Sequence, residues 1–457
     1  MTDTVYDMVI LGAGSGGYAA ALRGAQLGLT VALIEADKIG GTCLHRGCVP
    51  TKAILHSAET AEAVREAASV GVNAVFQGLD MPAVQKYKNG VVSRMHKGLE
   101  GLVASRGIEV VRGWGRLVAR DTVEVNGRRY RGRNIVLASG SFSKTIGQEI
   151  SGPVMTSDQA LELDRVPSSA VILGGGVIGV EFASAWASMG SRVTIIEGLP
   201  RLVPNEDEAV SKQLERAFRK RKIAFKTNTM FESVERTATG VTVRTADSKT
   251  YDAEVLLIAV GRGPATANLG YEEAGVAMDR GFVLTDDYGR TNVDGVWAVG
   301  DIVPGVQLAH RGFAQGIVVA EKIAGLDPRP VDDTLVPKVT FCEPEIASVG
   351  LSEAQAIEIH GAEKVTTAEF NVAGNAKSQI LGTQGFVKLV SLKDGPVVGF
   401  HAIGTRMGEQ IGEGQLIVSW EADAHDVASL VHAHPTQNET IGEAAMALAG
   451  KPLHNHG

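Results

Sequence analysis

Val9-Ile10-Leu11-Gly12-Ala13-Gly14-Ser15-Gly16-Gly17 decides the fold. A short apolar run passes into a glycine turn, and a helical pattern follows from Tyr18 to Gly28. A second apolar run, Thr30 to Ile34, ends in Glu35. Strand, glycine turn, helix, strand and acid form the dinucleotide-binding βαβ unit. Gly12 makes the turn, Gly14 lets backbone approach a pyrophosphate, and Gly17 lets helix pack on strand. The helix N-terminus faces phosphate, and Glu35 accepts from a ribose hydroxyl. The competing reading is an ordinary glycine-rich βα turn.

The same device returns at Val171-Ile172-Leu173-Gly174-Gly175-Gly176-Val177-Ile178-Gly179. A helix through Phe182 to Met189, a strand Arg192–Ile196 and Glu197 complete it. Two fingerprints imply two dinucleotides. Glu197 would repel a 2′-phosphate, and no arginine cluster abuts it, so the second site reads as NAD rather than NADP. The alternative for Glu197 is a solvated strand end.

The rest of the chain bounds the answer. Its 457 residues suggest about three domains. Hydrophobic residues make up 44% and charged residues 21%, as in a soluble globular protein. The net charge of −8 gives no global attraction to nucleic acid or anionic membrane. The run Arg216, Arg219, Lys220, Arg221 and Lys222 reads as the polar face and end of a helix. Met1 to Asp7 carries two acids and no base, and no apolar stretch is long enough to span a bilayer. A cytoplasmic protein is expected. Asp327 to Pro337 reads as a linker. Beyond it, residues 339–350 and 385–403 look strand-rich and 408–424 helical, an α+β domain of its own.

The chemistry lies in Gly40-Gly41-Thr42-Cys43-Leu44-His45-Arg46-Gly47-Cys48-Val49-Pro50-Thr51-Lys52. On a regular helix the cysteines would stand about 140° apart with roughly 7.5 Å of rise. A disulfide needs Cα atoms within about 7 Å, so a bond between them requires a distorted turn, to which Gly47 and Pro50 are suited. Such a short-loop, helix-terminal disulfide is reducible and opens to a thiol of low pKa. Zinc and an inert buried pair are the competing readings, and no second Cys/His pair has ligand spacing. No metal is expected. Cys342 reads as a small core residue. His434-Pro435-Thr436-Gln437-Asn438-Glu439 offers a turn-mounted histidine with a carboxylate in reach, a candidate base for a thiol. His310 and His432 read, on their own, as structural histidines.

These segments resemble, in order and along essentially the whole chain, the flavin-dependent class I pyridine nucleotide-disulfide oxidoreductases. Gly40–Lys52 is similar to their GGTCxxxGCxPxK segment, and His434–Glu439 to their HPTxxE signature. The resemblance implies two Rossmann-like α/β domains, for FAD and NAD, plus an α+β dimerisation domain. Expected boundaries are 1–143 and 265–334 for FAD, 144–264 for NAD and 335–457 for dimerisation. It implies a redox-active Cys43–Cys48 disulfide, with Cys43 outermost and Cys48 beside the flavin. It implies a Lys52–Glu181 pair near the flavin, and His434 as a base oriented by Glu439 and supplied across a homodimer.

By the same resemblance FAD meets Gly12, Gly14, Gly17, Glu35, Thr42, Lys52, Gly115, Ser139, Gly140, Ser141, Asp301, Leu308, Ala309 and His310. NAD meets Gly174, Gly176, Ile178, Gly179, Glu181, Glu197, Gly261 and Arg262. Within the class, the second motif and Glu197 resemble the dihydrolipoyl dehydrogenases, which oxidise lipoyl domains of 2-oxo acid dehydrogenase complexes and serve cell redox homeostasis. Reduction of another low-molecular-weight disulfide by NAD(P)H is the alternative. The chain departs from the pattern at Ser139 for threonine, at Gln315 for an acid and at Cys342 for threonine. His45-Arg46 replaces the commoner Asn-Val, and the added charge is expected to lower the thiol pKa values.

Overall fold

The computed structural model describes residues 4–454, so Met1 to Asp3 of the N-terminal reading lie outside the described residues. The first fingerprint folds as β1 (Val5–Leu11), α1 (Ser15–Gln26) and β2 (Val31–Glu35). Val9, Ile10 and Leu33 have no exposure, because both faces of a parallel strand are covered. Two helices carry the cysteines, α2 (Gly41–Arg46) and α3 (Cys48–Glu66), and a long α4 (Met81–Ser105) follows. The strands β3 (Glu109–Arg112), β4 (Gly115–Ala119), β5 (Thr122–Val125) and β6 (Arg128–Leu137) complete this segment.

The parallel part of this sheet runs β3-β2-β1-β6 and is closed by a strand from far along the chain, Val296–Ala298, against Ile135–Leu137. A later helix, Ala309–Ile323, packs on α1. There Gly316 is required: a Cβ on it would lie 2.3 Å from the carbonyl oxygen of Gly16. The first unit is therefore discontinuous, with the second inserted into it.

The second sheet is parallel and five-stranded, in the order Ala224–Lys226, Arg192–Ile196, Ser169–Leu173, Val255–Ile258, Val154–Met155. Its helix Val177–Met189 is buried on nearly all sides, including Phe182 and Trp186. A helix apolar all round belongs in a core, and this one meets α3 as well as its own sheet. Each large side chain so buried contributes about 1.5–3 kcal/mol.

The last unit is a five-stranded antiparallel sheet, ordered Lys338–Thr340, Glu345–Gly350, Val397–Gly404, Phe386–Leu392, Val365–Asn371. The helices Met407–Ser419 and Glu439–Leu448 pack on it through Met407, Ile417, Val418, Ile441 and Ala444. The α+β expectation for this part agrees with that sheet.

The cysteine segment is helical on both sides of Gly47. Two readings change. The stretch 327–337 is pinned, because Asp333 accepts from Arg311 Nε at 2.5 Å and from Nη2 at 2.9 Å. The basic run does end the helix Glu208–Lys220, but Arg221 turns inward and its side chain is only 15% exposed. Among the described residues no helix is long and apolar enough to cross a membrane.

Candidate active site

The two glycine loops superimpose in their logic. Gly12 and Gly174 have φ of +108° and +103°, which favours glycine. A Cβ on Gly17 would lie 1.8 Å from the carbonyl oxygen of Gly12, and on Gly179 1.9 Å from that of Gly174. Helix packs directly on turn in both. At the middle positions, Gly14 and Gly176, a Cβ would meet no protein atom within 4 Å. Packing does not require glycine there, and the bare backbone N–H groups open a helix N-terminus.

The acids close the loops. Glu35 accepts the Ala13 N–H at 2.8 Å and the Asp37 N–H at 2.8 Å. Glu197 does the same with Gly175 at 2.5 Å and Leu199 at 2.7 Å. Glu197 is buried rather than a solvated strand end. Each carboxylate keeps lone pairs for one further donor.

Gly47, with φ −144° and ψ −114°, separates α2 from α3 and supplies the distortion the spacing demands. Cys48 thereby becomes the first residue of a nineteen-residue helix, where the helix dipole favours an anion. Both cysteines are free thiols, hydrogen-bonded to each other. That bond lowers Cys48 to about 7, against burial and with help from the Lys52 ammonium. The same bond, together with burial, pushes Cys43 well above the ordinary thiol range. Cys48 is the anion of the pair.

The cation acting on the thiols is Lys52, one helical turn beyond Cys48, and not the His45-Arg46 pair. His45 bonds the carbonyl oxygen of Ile39 at 2.9 Å and packs edge-on against His96. Burial lowers its pKa, so it holds no charge near neutrality. Arg46 pairs with Asp37 at the surface. The expected effect of these two residues on the thiols is therefore corrected.

Lys52 Nζ donates to both oxygens of Glu181, each at 2.9 Å. Glu181 lies on the helix Val177–Met189 with its side chain 4% exposed. It also accepts the Phe341 N–H at 2.9 Å, and the Phe341 ring lies 4.7 Å from Lys52 Nζ. Sequence reasoning missed Phe341: it sits in a strand-rich stretch that carries no local chemical signal.

The other expected cofactor residues divide. Ser141 Oγ donates to Asp301 Oδ2, and Gly300 N–H, beside Asp301, is held at 2.8 Å by Gln315 Oε1. Gln315 thus accepts as an acid would. Ser139 Oγ receives the buried Tyr271 hydroxyl at 3.0 Å. Gly140 and Gly261 have φ of +78° and +103°. Thr42 lies on α2, Leu308 and Ala309 open the helix Ala309–Ile323, and Ile178 is the second residue of the helix Val177–Met189. A Cβ on Gly115 would lie 2.4 Å from Leu11 Cδ1, so a side chain there would press on the Leu11 terminus. His310 bonds the carbonyl oxygen of Pro337 at 2.7 Å. Arg262 is committed to Ser141 and Ser143, with Nε 2.8 Å from Ser141 Oγ.

His434 stands in a cis His434-Pro435 turn with its side chain 72% exposed. Its Nδ1 lies 2.8 Å from Glu439 Oε1, and Glu439 Oε2 accepts the Thr436 N–H at 2.9 Å. Burial raises the Glu439 carboxyl, but the Thr436 and His434 bonds outweigh it and leave the pKa below the usual range. The ionised carboxylate assigns the proton to Nδ1 and leaves Nε2 as the free base. His432 is a structural histidine, 2.6 Å from Glu413. Cys342 is buried and donates to the carbonyl oxygen of Pro344. Among the described residues no cluster has the make-up of a metal site.

The pyridine nucleotide-disulphide oxidoreductase model matches residues 6–316, and the dimerisation domain of the same family matches 336–445. The chain is 37% identical over 473 residues to a dihydrolipoyl dehydrogenase of Bacillus subtilis (strain 168), covering 99% of each chain. Its identity to that of Geobacillus stearothermophilus is 38% over 459 residues, covering 98% and 97%. Among solved structures, LpdA from Mycobacterium tuberculosis superimposes with a TM-score of 0.90 at 26% identity, over 96% of this chain and 99% of that one. The HOCl-induced flavoprotein disulfide reductase RclA from Escherichia coli gives 0.86 at 28% identity, over 96% and 99%.

Proposed function

The chain belongs to the pyridine nucleotide-disulphide oxidoreductases, and from that premise we propose that it is a dihydrolipoyl dehydrogenase. It oxidises dihydrolipoyl groups to lipoyl, with FAD as resident cofactor and NAD as final acceptor. Relatives of that name, matched over nearly their whole length, support the substrate. The observation that carries the reading is the free Cys43 and Cys48 thiols on either side of Gly47, with Cys48 at a helix N-terminus one turn from Lys52, which is held by Glu181.

The fit to two dinucleotides rests on the glycine turns at the two helix N-termini, where Gly14 and Gly176 leave room for a ligand to meet bare backbone. The first loop, Glu35 and the Ser141–Asp301 pair would hold FAD. The second loop and Glu197 would hold NAD. In this division residues 1–143 and 265–334 serve FAD, 144–264 serve NAD and 335–457 pair two subunits. FAD, when bound, would supply a two-electron acceptor for the thiols and a hydride donor to NAD.

Starting from the oxidised Cys43–Cys48 pair, His434 of the partner subunit takes a proton from one substrate thiol at Nε2. The substrate thiolate attacks Cys43 Sγ, forming a mixed disulfide and expelling Cys48 as a thiolate. The helix N-terminus and Lys52 stabilise that thiolate. The second substrate thiol gives up its proton and, as a thiolate, displaces Cys43, which leaves as the thiol by taking the proton held on the partner subunit's His434, and the substrate disulfide closes. The two enzyme sulfurs then carry the electron pair. We place this reaction in the cytoplasm, on lipoyl domains of 2-oxo acid dehydrogenase complexes.

The likeness to RclA favours a second reading, reduction of another disulfide at the expense of NAD(P)H. Turnover of dihydrolipoamide with NAD, beside reduction of a disulfide panel with NADH and NADPH, separates the two. Rapid NADH formation from dihydrolipoamide is expected. Turnover only in the reductive direction on another disulfide, or only with NADPH, overturns the assignment.

A further inference from the structure

The Lys52–Glu181 pair has a third member. Lys52 comes from α3, Glu181 from the helix Val177–Met189, and Phe341 from the turn after the first strand of the last sheet. The Phe341 N–H binds Glu181 Oε1, and its ring lies 4.7 Å from Lys52 Nζ. Two residues on, the Glu343 N–H donates to Ser184 Oγ at 2.8 Å, one turn further along the same helix. Arg221 Nη1 then bonds the Glu343 carbonyl oxygen at 2.7 Å. The turn is thus fixed on both sides of the ring, so the ring's place is set by the fold.

Lys52 lies four residues after Cys48 on one helix, so the two side chains share a face. The lysine is still 32% exposed at its side chain. An ammonium on a flexible stem moves into solvent unless more than one group holds it, and its field at a neighbour is then screened. Glu181 holds one side of this ammonium. The π-face of Phe341 holds another by cation–π attraction.

We propose that Phe341 is a positioning residue for the reactive thiol, its ring fixing the Lys52 ammonium between Glu181 and the Cys48 face of α3. The last third of the chain thereby sets the charge at a cysteine pair made in the first. The inference rests on the reading of Cys48 as the reactive thiolate and of Lys52 as its counter-ion.

The test titrates the ultraviolet thiolate absorbance of Cys48 in full-length, FAD-loaded protein carrying Cys43→Ser, with Cys43→Ser/Cys48→Ser as the blank. Phe341→Leu removes the π-face and keeps most of the volume. Its midpoint is expected to rise by about half a unit, a roughly threefold lower thiolate fraction at pH values below it. Phe341→Tyr restores the face and the parent midpoint. A merely structural role would not follow the aromatic face. If Phe341→Leu and Phe341→Met both titrate like the parent while Lys52→Met moves upward, the role of Phe341 is overturned and the Lys52 reading stands. If Lys52→Met also leaves the midpoint in place, the counter-ion reading falls and the proposal falls with it.

Discussion

At Cys48 three influences meet within one turn of helix: a thiol neighbour, a dipole and an ammonium. An acid whose pKa is lowered is ionised above that value and protonated below it. Alkylation of Cys48 in the reduced protein is therefore expected to rise across pH about 7, below the range of an ordinary thiol. A midpoint near 8.5, the ordinary thiol value, would refute the acidification. His434 offers the second residue-scale expectation. His434→Ala should lower dithiol turnover by roughly 10²–10⁴-fold with FAD content unchanged, whereas unchanged turnover removes it as the base. The cysteine pair and the His434–Glu439 pair were legible because their spacings are local and their chemistry distinctive, whereas Lys52 and Glu181, 129 residues apart, came only from the family resemblance. The misread pair shows the limit. His45 lies two residues from Cys43 in α2, about 200° around the helix, so nearness in sequence put its imidazole on the far side.

Glycine positions within the two fingerprint turns differ in what they tolerate, and this separates folding from binding. Gly17→Ala drives a methyl into the carbonyl of Gly12 and is expected to destabilise the first unit severely. Gly14→Ala meets no protein atom, so its melting temperature should stay near the parent's while FAD retention falls. Flavin absorbance after desalting, read beside a thermal melt, checks both. Equal FAD retention in Gly14→Ala would mean the backbone is not approached there. These turns were legible because glycine spacing and a buried parallel strand are both strong local signals. The strands Phe231–Thr237 and Val365–Asn371 were not, since the first is mostly exposed and the second mostly half-buried, and neither gives an alternation to read. Antiparallel pairing to the next strand along the chain, not local pattern, makes them strands.

Arg221 ties the three units together. It donates to Ser184 Oγ at 2.8 Å, to Ser188 Oγ at 2.6 Å, to the Glu343 carbonyl and to Glu62 of α3. Arg221→Ala leaves the Glu343 carbonyl without its donor and strips a charged partner from Ser184, Ser188 and Glu62, which keep their other bonds, and should cost roughly 2–4 kcal/mol in denaturant unfolding. A change below about 0.5 kcal/mol, ordinary for a surface position, would show the joint to be held elsewhere. Sequence reading assigned this arginine to a solvated helix end, because no local signal says which member of a basic run turns inward. The discontinuity of the first unit also orders events during synthesis. Its sheet waits for Val296–Ala298 and its first helix for Ala309–Ile323, while the whole intervening unit has already left the ribosome. At roughly 5–20 residues per second that gap lasts on the order of 10–30 s. The unit begun first is therefore closed second, and a nascent chain must carry an unfinished flavin site past a finished neighbour.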